Sequence, residues 1–322
     1  MRDTDYAFCV ARIRAKETEL LSPEFINRLV EADDYESVVR LLVDAGWIES
    51  GCENEDFIRK QSFRLWNFLK ESVPDKKVLD GLCVLNDYFN IKTAIKCIIS
   101  GENAELYYSE PSSLELDKLS GSIDSRTFDV FKSEGMRLTA KNAFEVACMT
   151  GNGQNAEVVI DVATLECLLT MSKNSPYKTF SDICSFIVDS SNIRTAIRCT
   201  VLGKDTGFMN SAISDCSKIS KDRLIINSAS GIDKLKEYLM NSEYAYGVEL
   251  YFCNPSLYDK WCDEKVLEIA TQSGFVAFGF DPVCAYFYKK SDEIKKVKII
   301  LSAKKSGASI DLLRERVKNS YA

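Results

Sequence analysis

The feature that most constrains this fold is an internal repeat. Residues 90–101 (NIKTAIKCIISG) recur 102 positions later as residues 192–203 (NIRTAIRCTVLG), with seven identities and two lysine-to-arginine exchanges. A weaker third copy, residues 293–304 (EIKKVKIILSAK), begins 101 positions further on. Self-similarity at a fixed period is typical of repeat architectures. The sequence therefore predicts three units of about 100 residues each.

Each copy also places apolar residues at the spacing of one helical face. The members of this stripe are Ile91, Ala94, Ile95, Ile98 and Ile99 in the first copy, Ile193, Ala196, Ile197 and Val201 in the second, and Ile294, Val297 and Leu301 in the third. Apolar residues at i, i+3, i+4 and i+7 indicate an amphipathic helix. Because helix signals dominate the rest of the chain and strand alternation is nearly absent, the predicted fold class is all-α.

Helix starts can be read from capping residues. Ser22 followed by Pro23 predicts a helix that runs to about Glu31, and Asp33 or Asp34 is predicted to cap the next helix. Ser309 is predicted to cap the last helix, with Asp311 in its first turn. The segment 35–47 (YESVVRLLVDAGW) resembles 232–244 (IDKLKEYLMNSEY), displaced by 197 positions, and this supports the repeat.

Two segments rich in Ser, Gly and Asp, 107–125 and 204–221, are predicted to interrupt the helices after the first two copies. They divide the chain into repeats at 1–115, 116–218 and 219–322. Because adjacent repeats share faces, we expect one cooperative domain rather than three separate ones. The most apolar stretch, 275–287 (FVAFGFDPVCAYF), is predicted to be a buried helix end and turn before the third copy.

Composition excludes several classes of function. The chain has no histidine, which removes the commonest general base and metal ligand. A net charge of −7 argues against nucleic acid as a partner. No apolar run is long enough for a membrane span, and the start MRDTDYAF lacks the apolar stretch of a signal peptide, so we expect a cytosolic protein.

Twelve cysteines are present, without a Cys-x-x-Cys pair, and most lie within amphipathic segments. We expect buried free thiols, with no disulfide-linked partner. The examples within amphipathic segments are Cys83, Cys97, Cys148, Cys167 and Cys199. The one glycine pair that resembles a phosphate loop, 151–153 (GNG), lacks a third glycine and is predicted to be a turn between helices.

The most specific polar signal is a recurring trio. Asp87, Asn90 and Lys92 precede or begin the first repeat copy, and Asp189, Asn192 and Arg194 stand at the corresponding positions of the second. One interpretation is structural, since polar groups beside an apolar stripe usually satisfy one another. The other is a pseudo-threefold set of partner contacts that face a shared axis. In the third copy Lys290 replaces the acid, which puts a shared role of that acid in doubt.

Charge is distributed unevenly. From Lys289 onward, ten Lys and Arg face four Asp and Glu, a local +6 that leaves −13 for the first 288 residues. This basic stretch is either a solvated helical face or a docking surface for an acidic partner or an anionic membrane. Under the second hypothesis Lys295, Lys296 and Lys298 contact the partner, and reversing their charge weakens assembly.

Taken in order, several motifs resemble a known family. They are the start 6–14 (YAFCVARIR), the two Asn-Ile-Lys/Arg copies, and the ending with Pro282, Ala285-Tyr286, Lys289, Glu293-Ile294-Lys295 and Ile299-Ile300. The chain resembles the C (or d) subunit of the A-type and V-type rotary ATPases across both termini and the middle. The resemblance implies three pseudo-symmetric helical bundles that form a funnel-shaped single domain.

The same resemblance implies a non-catalytic rotor subunit with no cofactor, metal or catalytic residues. In this role the chain couples the central shaft, built from D-type and F-type subunits, to the proteolipid ring during ATP-linked proton or sodium transport. It is peripheral to the membrane, on the cytoplasmic face. Two alternatives stay open: a generic α-helical repeat scaffold that binds other proteins, and a helical enzyme that uses carboxylates or a thiol.

Overall fold

Every regular element in the described part of the chain is a helix. The computed structural model describes residues 3–49, 57–151, 153–272 and 276–317, and these ranges contain no β-strand. The predicted all-α class is therefore confirmed. None of the helices in these ranges is long and apolar enough to cross a bilayer.

The α-helices range in length from 7 to 26 residues. In chain order they are α1 (Ala7–Glu17), α2 (Pro23–Glu31), α3 (Tyr35–Asp44), α4 (Phe57–Ser72), α5 (Lys77–Ser100), α6 (Leu116–Asp124), α7 (Glu134–Thr150), α8 (Gly153–Asn174), α9 (Lys178–Val201), α10 (Thr206–Ala212), α11 (Lys221–Ala229), α12 (Ile232–Met240), α13 (Ala245–Cys253), α14 (Pro255–Gln272), α15 (Asp281–Ser306) and α16 (Ile310–Val317). Short 3₁₀ helices cover Asp3–Tyr6 and Ala104–Leu106.

The chain divides into two compact units. The first consists of Met1–Lys76 together with Asp263–Ala322, and the second is Lys77–Cys262. One boundary lies just before α5, and the other lies within α14. The division of the sequence into three repeats, 1–115, 116–218 and 219–322, stays a prediction.

In the second unit, α8 packs against α5, α7 and α9. The turn between α7 and α8 confirms the prediction for 151–153, since Gly151 adopts the left-handed region with φ +59°, which glycine reaches without steric cost. Asn152 lies outside the described residues. The apolar stripe of α5 is buried at Ile91, Ala94 and Ile95.

The stripe does not extend as far as predicted. Ile99 is 44% exposed and Val201, its counterpart on α9, is 67% exposed. Both residues lie in the last helical turn, beyond the part of each helix that neighbouring helices cover. The prediction of burial for these two residues was wrong, because periodicity gives the face of a helix but not where its neighbours end.

In the first unit, α15 packs against α1, α2, α3 and α4. Its stripe residues Ile294, Val297 and Leu301 are all buried, as predicted. Helix α16 packs on α2 and on α15, and its Leu313 is buried. The core of this unit thus joins helices from both halves of the sequence.

The predicted capping residues lie where the helices begin. Ser22 Oγ accepts a hydrogen bond from Phe25 N at 3.2 Å, and Asp34 Oδ1 accepts one from Ser37 N at 2.8 Å. Helix α16 starts directly after Ser309. Helices α3 and α12 begin at the first residues of the two aligned segments, Tyr35 and Ile232. Side-chain caps therefore account for the starts of α2 and α3, as expected, whereas α12 begins after Gly231 without a side-chain cap.

Two predictions about interruptions need correction. The segments 107–125 and 204–221 are not free of helix, because the first contains all of α6 and the second contains all of α10. Asp205 explains one of these helices, since its Oδ1 accepts a hydrogen bond from Phe208 N at 2.7 Å and so caps α10. Short capped helices are thus compatible with a Ser- and Gly-rich composition.

The apolar stretch 275–287 is buried only in part. Val276 and Phe278 are exposed, whereas Phe280 is buried, and α15 begins at Asp281 with Pro282 in its first turn. Phe275 lies outside the described residues. The turn before the third copy is confirmed, but the described part of the stretch holds the start of α15 rather than a helix end, and the prediction that the whole stretch is buried was wrong.

The described cysteines are free thiols, as predicted. Cys83, Cys97 and Cys199 are buried, but Cys148 is exposed and Cys167 is half-buried. Cys148 directly follows buried Ala147 on α7, so it turns toward the solvent side of that helix. Burial was therefore predicted wrongly for these last two thiols.

Candidate functional site

The predicted polar residues of α9 hold the chain segment that leads into α11. Asp189 is fully buried, and its Oδ1 and Oδ2 accept hydrogen bonds from Ser217 N at 2.6 Å and Lys218 N at 2.8 Å. Tyr244 Oη donates a third hydrogen bond to Oδ2 at 2.9 Å. The buried carboxylate is therefore satisfied by two backbone N–H groups and one hydroxyl.

Asn192 lies one turn further along α9 and forms a two-way bond with the same segment. Its Oδ1 accepts from Ser214 N at 3.0 Å, and its Nδ2 donates to Ser214 O at 3.2 Å. On α5, Asn90 does the same with Ser109: Oδ1 accepts from the backbone N at 2.7 Å and Nδ2 donates to the backbone O at 2.9 Å. An amide supplies both a donor and an acceptor, as this geometry requires.

Asp87 on α5 matches Asp189. It is 1% exposed, and its Oδ1 accepts from Ser113 N at 2.9 Å and from Ser112 Oγ at 2.5 Å. Ser113 Oγ donates to Oδ2 at 2.6 Å. The bonded residues lie just ahead of α6, as Ser217 and Lys218 lie just ahead of α11.

In α15 a glutamate at a different position accepts the equivalent backbone hydrogen bond. Glu293, at the position of Asn90 and Asn192, is 3% exposed and accepts from Leu21 N and from Trp47 Nε1, each at 2.7 Å. Lys290, at the position of the two aspartates, forms an ion pair with Glu293 and lies over the Trp47 ring. Leu21 directly precedes the cap of α2.

The helices α5, α9 and α15, which have 24 to 26 residues, therefore each present a buried carboxylate to the backbone just before a nine-residue helix. The pairs are α5 with α6, α9 with α11, and α15 with α2. The repeated sequence pattern indicated Asp87, Asn90, Asp189 and Asn192 but not Glu293 as their counterpart. The pattern did not indicate the donors Trp47 and Tyr244 either, although these two residues end the two aligned segments 35–47 and 232–244.

Burial shapes the acid–base properties of this set. Desolvation raises the pKa of Asp87 and of Asp189 above the usual range, and the hydrogen bonds they accept oppose that rise. Desolvation also raises the pKa of the Tyr244 hydroxyl, with the nearby Asp189 carboxylate adding to the rise. A tyrosine in this state stays protonated and remains a donor.

The cations of the set pair with aspartates on other long helices. Lys92 forms an ion pair with Asp161 on α8, Arg194 Nη2 lies 3.0 Å from Asp259 Oδ1 on α14, and Lys295 pairs with Asp263 on α14. The three aspartates are each more than half exposed. These pairs link the outer surfaces of adjacent helices rather than the core.

The three lysines predicted to contact a partner occupy different environments. Lys296 is buried, and its Nζ lies 2.7 Å from Oδ2 of the equally buried Asp292. Lys295 and Lys298 are both exposed, and Lys295 also forms an ion pair with Asp263. Of the three, Lys298 is therefore best placed to meet a partner.

The chemistry available in this set is hydrogen-bond acceptance and ion pairing. Within the ranges that the structure describes, no group of three or more Cys, Asp or Glu side chains is arranged to hold a metal ion. The carboxylates accept hydrogen bonds from backbone N–H groups of the same chain. These bonds therefore stabilise the fold of the protein itself.

Comparison with known proteins matches this chain over nearly its full length. The family model described as ATP synthase (C/AC39) subunit matches residues 9–316. The C subunit of the V-type sodium ATPase from Enterococcus hirae is 21% identical over 319 residues, which cover 96% of this chain and 97% of that protein. The C subunit of the A-type ATP synthase from Methanocaldococcus jannaschii is 26% identical over 340 residues, covering 93% of this chain and 82% of that protein. The chain belongs to the ATP synthase (C/AC39) subunit family.

Proposed function

We propose that this chain is a non-catalytic central-stalk rotor subunit of a V/A-type rotary ATPase. In this role it joins the central shaft, with its D-type and F-type subunits, to the membrane proteolipid ring, and it is peripheral on the cytoplasmic face. It takes part in ATP-linked proton or sodium transport without binding a nucleotide or a cofactor itself. The observation that carries the proposal is the family match over residues 9–316.

The coverage of the relatives supports the proposal. Matches that span 97% and 82% of two proteins named as C subunits leave little of either protein without a counterpart in this chain. A shared part of a larger enzyme would give partial coverage instead. The function of the relatives is therefore the best guide to the function of the whole chain.

The bonds from the long helices support a mechanical role. Asp87, Asp189 and Glu293 each tie a helix of at least 24 residues to the backbone just ahead of a nine-residue helix. Buried hydrogen-bonded groups of this kind are costly to break, because a released donor or acceptor stays desolvated. A subunit that transmits torque needs joints that resist deformation, and densely packed interiors supply the same property. The arrangement of the three repeats about an axis is part of the proposal.

Within the basic stretch after Lys289, we expect Lys298 to contact the partner. Lys298 is exposed on α15, and a cation near an anionic membrane surface contributes about 1 kcal/mol of attraction. We expect Lys298→Glu to lower the yield of assembled complex about fivefold. Lys173→Glu, a reversal of an exposed lysine on α8, is the matched control.

The test is affinity purification of the tagged chain from its own solubilised membranes, followed by mass spectrometry. Recovery of proteolipid and shaft subunits in fixed ratio is the expected result. A clean monomer, or unrelated soluble proteins in place of those subunits, would favour the generic α-helical scaffold and contradict the proposal.

A further inference from the structure

The helix pair α2–α3 is bonded to α15 at both of its ends. Its base, where the chain enters at Leu21 and leaves at Trp47, is held by Glu293, which accepts hydrogen bonds from both residues. Its tip, the turn at residues 32–34 between the two helices, is held by Lys304. Glu293 and Lys304 stand 11 residues apart, which is a rise of about 16 Å on one face of α15.

Lys304 pairs with backbone groups that the end of α2 leaves unpaired. The last carbonyl groups of an α-helix have no partner within the helix. Lys304 Nζ donates to Val30 O at 2.8 Å and also to Ala32 O, and the dipole of α2 favours a cation at this end. The pKa of Asp34, the cap of α3, is lowered first by hydrogen bonds from Ser37 and further by the Lys304 charge. Lys304 therefore interacts with the end of one helix and the start of the next.

Only the third repeat copy has a lysine at this position. Lys304 is the last residue of that copy, and a glycine stands at the same position in the other two. The base of the helix pair α11–α12 is held in a similar way, because Asp189 accepts from the backbone ahead of α11 and from Tyr244 after α12. Within the described ranges, however, no side chain from outside this pair forms a hydrogen bond with its turn at residues 230–231.

The contacts at the base of α2–α3 are more buried than those at its tip. At the base, Glu293 is 3% exposed and its donor Trp47 is 4% exposed. At the tip, Lys304 is half-buried, and the ion pair of Glu31 with Arg314 spans 3.5 Å between side chains that are 63% and 43% exposed. Exposed ion pairs contribute little to stability, whereas buried hydrogen-bonded charges are costly to separate. The tip is therefore the weaker end.

Packing is also incomplete beside the tip. An open cleft of about 320 Å³ lies between α2 and α16, and it is lined by Asn27, Val30, Glu31, Arg314 and Val317. Protein interiors are normally packed without gaps of this size. Segments with few packed neighbours open locally at lower cost than the rest of a fold. The end of α2 thus borders open space on the side of α16.

We propose that α2–α3 opens and closes on α15 as a strap, with Glu293 as the pivot at its base and Lys304 as the contact that releases at its tip. Opening uncovers the apolar side of α2, where Ile26, Leu29 and Val30 are buried in the closed state. The tip contact joins residues 274 positions apart, so the strap can close only once α15 is present. The strap does not depend on the proposed function, because all its contacts lie within the first unit.

The test is hydrogen–deuterium exchange of the full purified chain, read by mass spectrometry in peptides from the tip, the base and α4. Lys304→Met keeps most of the side-chain stem but removes the donors. At the tip, Ala32 N donates to Arg28 O at 3.1 Å, and its exchange should become about tenfold faster, since a charge-assisted hydrogen bond is lost. At the base, exchange of Leu21 N should not change, because Glu293 still accepts its hydrogen bond.

The chain supplies matched controls. Lys298→Met alters an exposed lysine on the same helix and should leave exchange at the tip unchanged. Peptides from α4, which packs on α15 in the same unit, report unfolding of the whole unit and should also stay unchanged. The equivalent amide of α11 is Ser230 N, which donates to Ile226 O at 3.1 Å. In the wild type it should be less protected than Ala32 N, and Lys304→Met should remove this difference.

Two outcomes in Lys304→Met would overturn the proposal. Unchanged exchange at the tip would show that Lys304 does not hold the strap closed. Faster exchange at the base together with the tip, with or without α4, would show that Glu293 is not a pivot.

Glu293→Ala tests the pivot directly. It removes the acceptor of Leu21 N and Trp47 Nε1, so base and tip should both exchange at least about tenfold faster. The acceleration should be larger in α2–α3 than in α4. A base that stays protected in this variant would contradict the pivot.

Discussion

Helices α9 and α15 each accept hydrogen bonds from the backbone ahead of a nine-residue helix, but they do so with different residues. In α9, Asp189 accepts hydrogen bonds from the backbone ahead of α11, and Asn192, one turn later, forms a two-way amide bond. In α15 a lysine stands at the first position, and Glu293 at the second accepts from the backbone ahead of α2. Both sites add an aromatic donor, Tyr244 in one and Trp47 in the other.

The comparison shows that the repeat preserves an interaction rather than a residue position. In each case the backbone before a nine-residue helix donates to a carboxylate on a long helix, and that carboxylate needs donors because it is buried. Either of two positions on the long helix can supply that acceptor. When the acid moves by one turn, the vacated position can hold a cation, and Lys290 then pairs with Glu293.

The largest expected effect comes from removing the acid of α15. Glu293→Ala leaves Lys290, whose side chain is only 12% exposed, as a buried cation without its partner, and it removes the acceptor of Leu21 N and Trp47 Nε1. Breaking a buried ion pair in this way costs about 3–5 kcal/mol. Urea unfolding followed by tryptophan fluorescence measures the loss.

The double variant Lys290→Met/Glu293→Gln sharpens this prediction. It removes both charges and keeps an acceptor oxygen, so it should be more stable than Glu293→Ala by at least about 1 kcal/mol. Glu237→Ala, which removes an exposed acid on α12, is the control and should change little. Equal losses in the double variant and in Glu293→Ala would show that the buried charge does not matter.

Substitution of Asp189, the acid of α9, should cost less unfolding free energy than substitution of Glu293, because Asp189 accepts from neutral donors and not from a buried cation. Asp189→Asn keeps the shape but turns an NH₂ group toward donors, which leaves Ser217 N, Lys218 N or Tyr244 Oη unpaired. We expect a loss of about 1–3 kcal/mol in the free energy of unfolding. The measurement is the same urea titration, with Asp215→Asn as an exposed control. A loss as large as that of Glu293→Ala would contradict the distinction between the two sites.

The pH dependence of α9 gives a smaller, directional test. Burial raises the folded-state pKa of Asp189 above the usual 3.8, so the folded protein binds this proton more tightly than the unfolded chain. As the pH falls from 7 through the folded-state pKa, the wild type should therefore gain stability relative to Asp189→Asn, and the gain is complete below about 3.8. Thermal unfolding across this range measures the difference.

Asp34 provides a control of opposite sign. The hydrogen bonds from Ser37 lower its pKa, so acid removes its stabilising contribution, and the wild type should lose stability relative to Asp34→Asn as the pH falls. If both pairs of proteins changed in the same direction, burial of Asp189 would not control its titration.

The smallest effect is expected for the ion pairs on the outer surfaces. Lys92→Met removes the partner of Asp161, a residue that is 58% exposed, and should cost about 0.2–1 kcal/mol. The loss should shrink in high salt, because exposed charges are screened. A salt-independent loss would mean that the lysine stem, and not its charge, stabilises the contact between α5 and α8.

Local chemistry made much of this fold predictable. Ser22 and Asp34 cap the helices that follow them, Gly151 takes the one backbone conformation that the α7–α8 turn requires, and the stripe on α15 is buried as its spacing predicts. Each of these features depends on residues within about one or two turns of one another. Such features are encoded in short segments.

The candidate site was predictable only in part, for a related reason. Asp87 and Asp189 were visible because the sequence repeats them, but Glu293 was hidden because it carries the same interaction from another position. The contact that reveals it joins Leu21 and Glu293, which are 272 residues apart. No local pattern records such a pairing.

The sequence by itself determined the helical class, the repeated long helices, the starts of α2 and α3 and the turn at Gly151, because backbone capping and amphipathic spacing act within a few residues. Only the tertiary structure decided which donors reach each buried carboxylate, that Leu21 and Trp47 converge on Glu293 inside the first unit, and that α7, α8 and α10 line an open groove. These outcomes depend on which helices become neighbours, and neighbours are selected by the burial of whole faces.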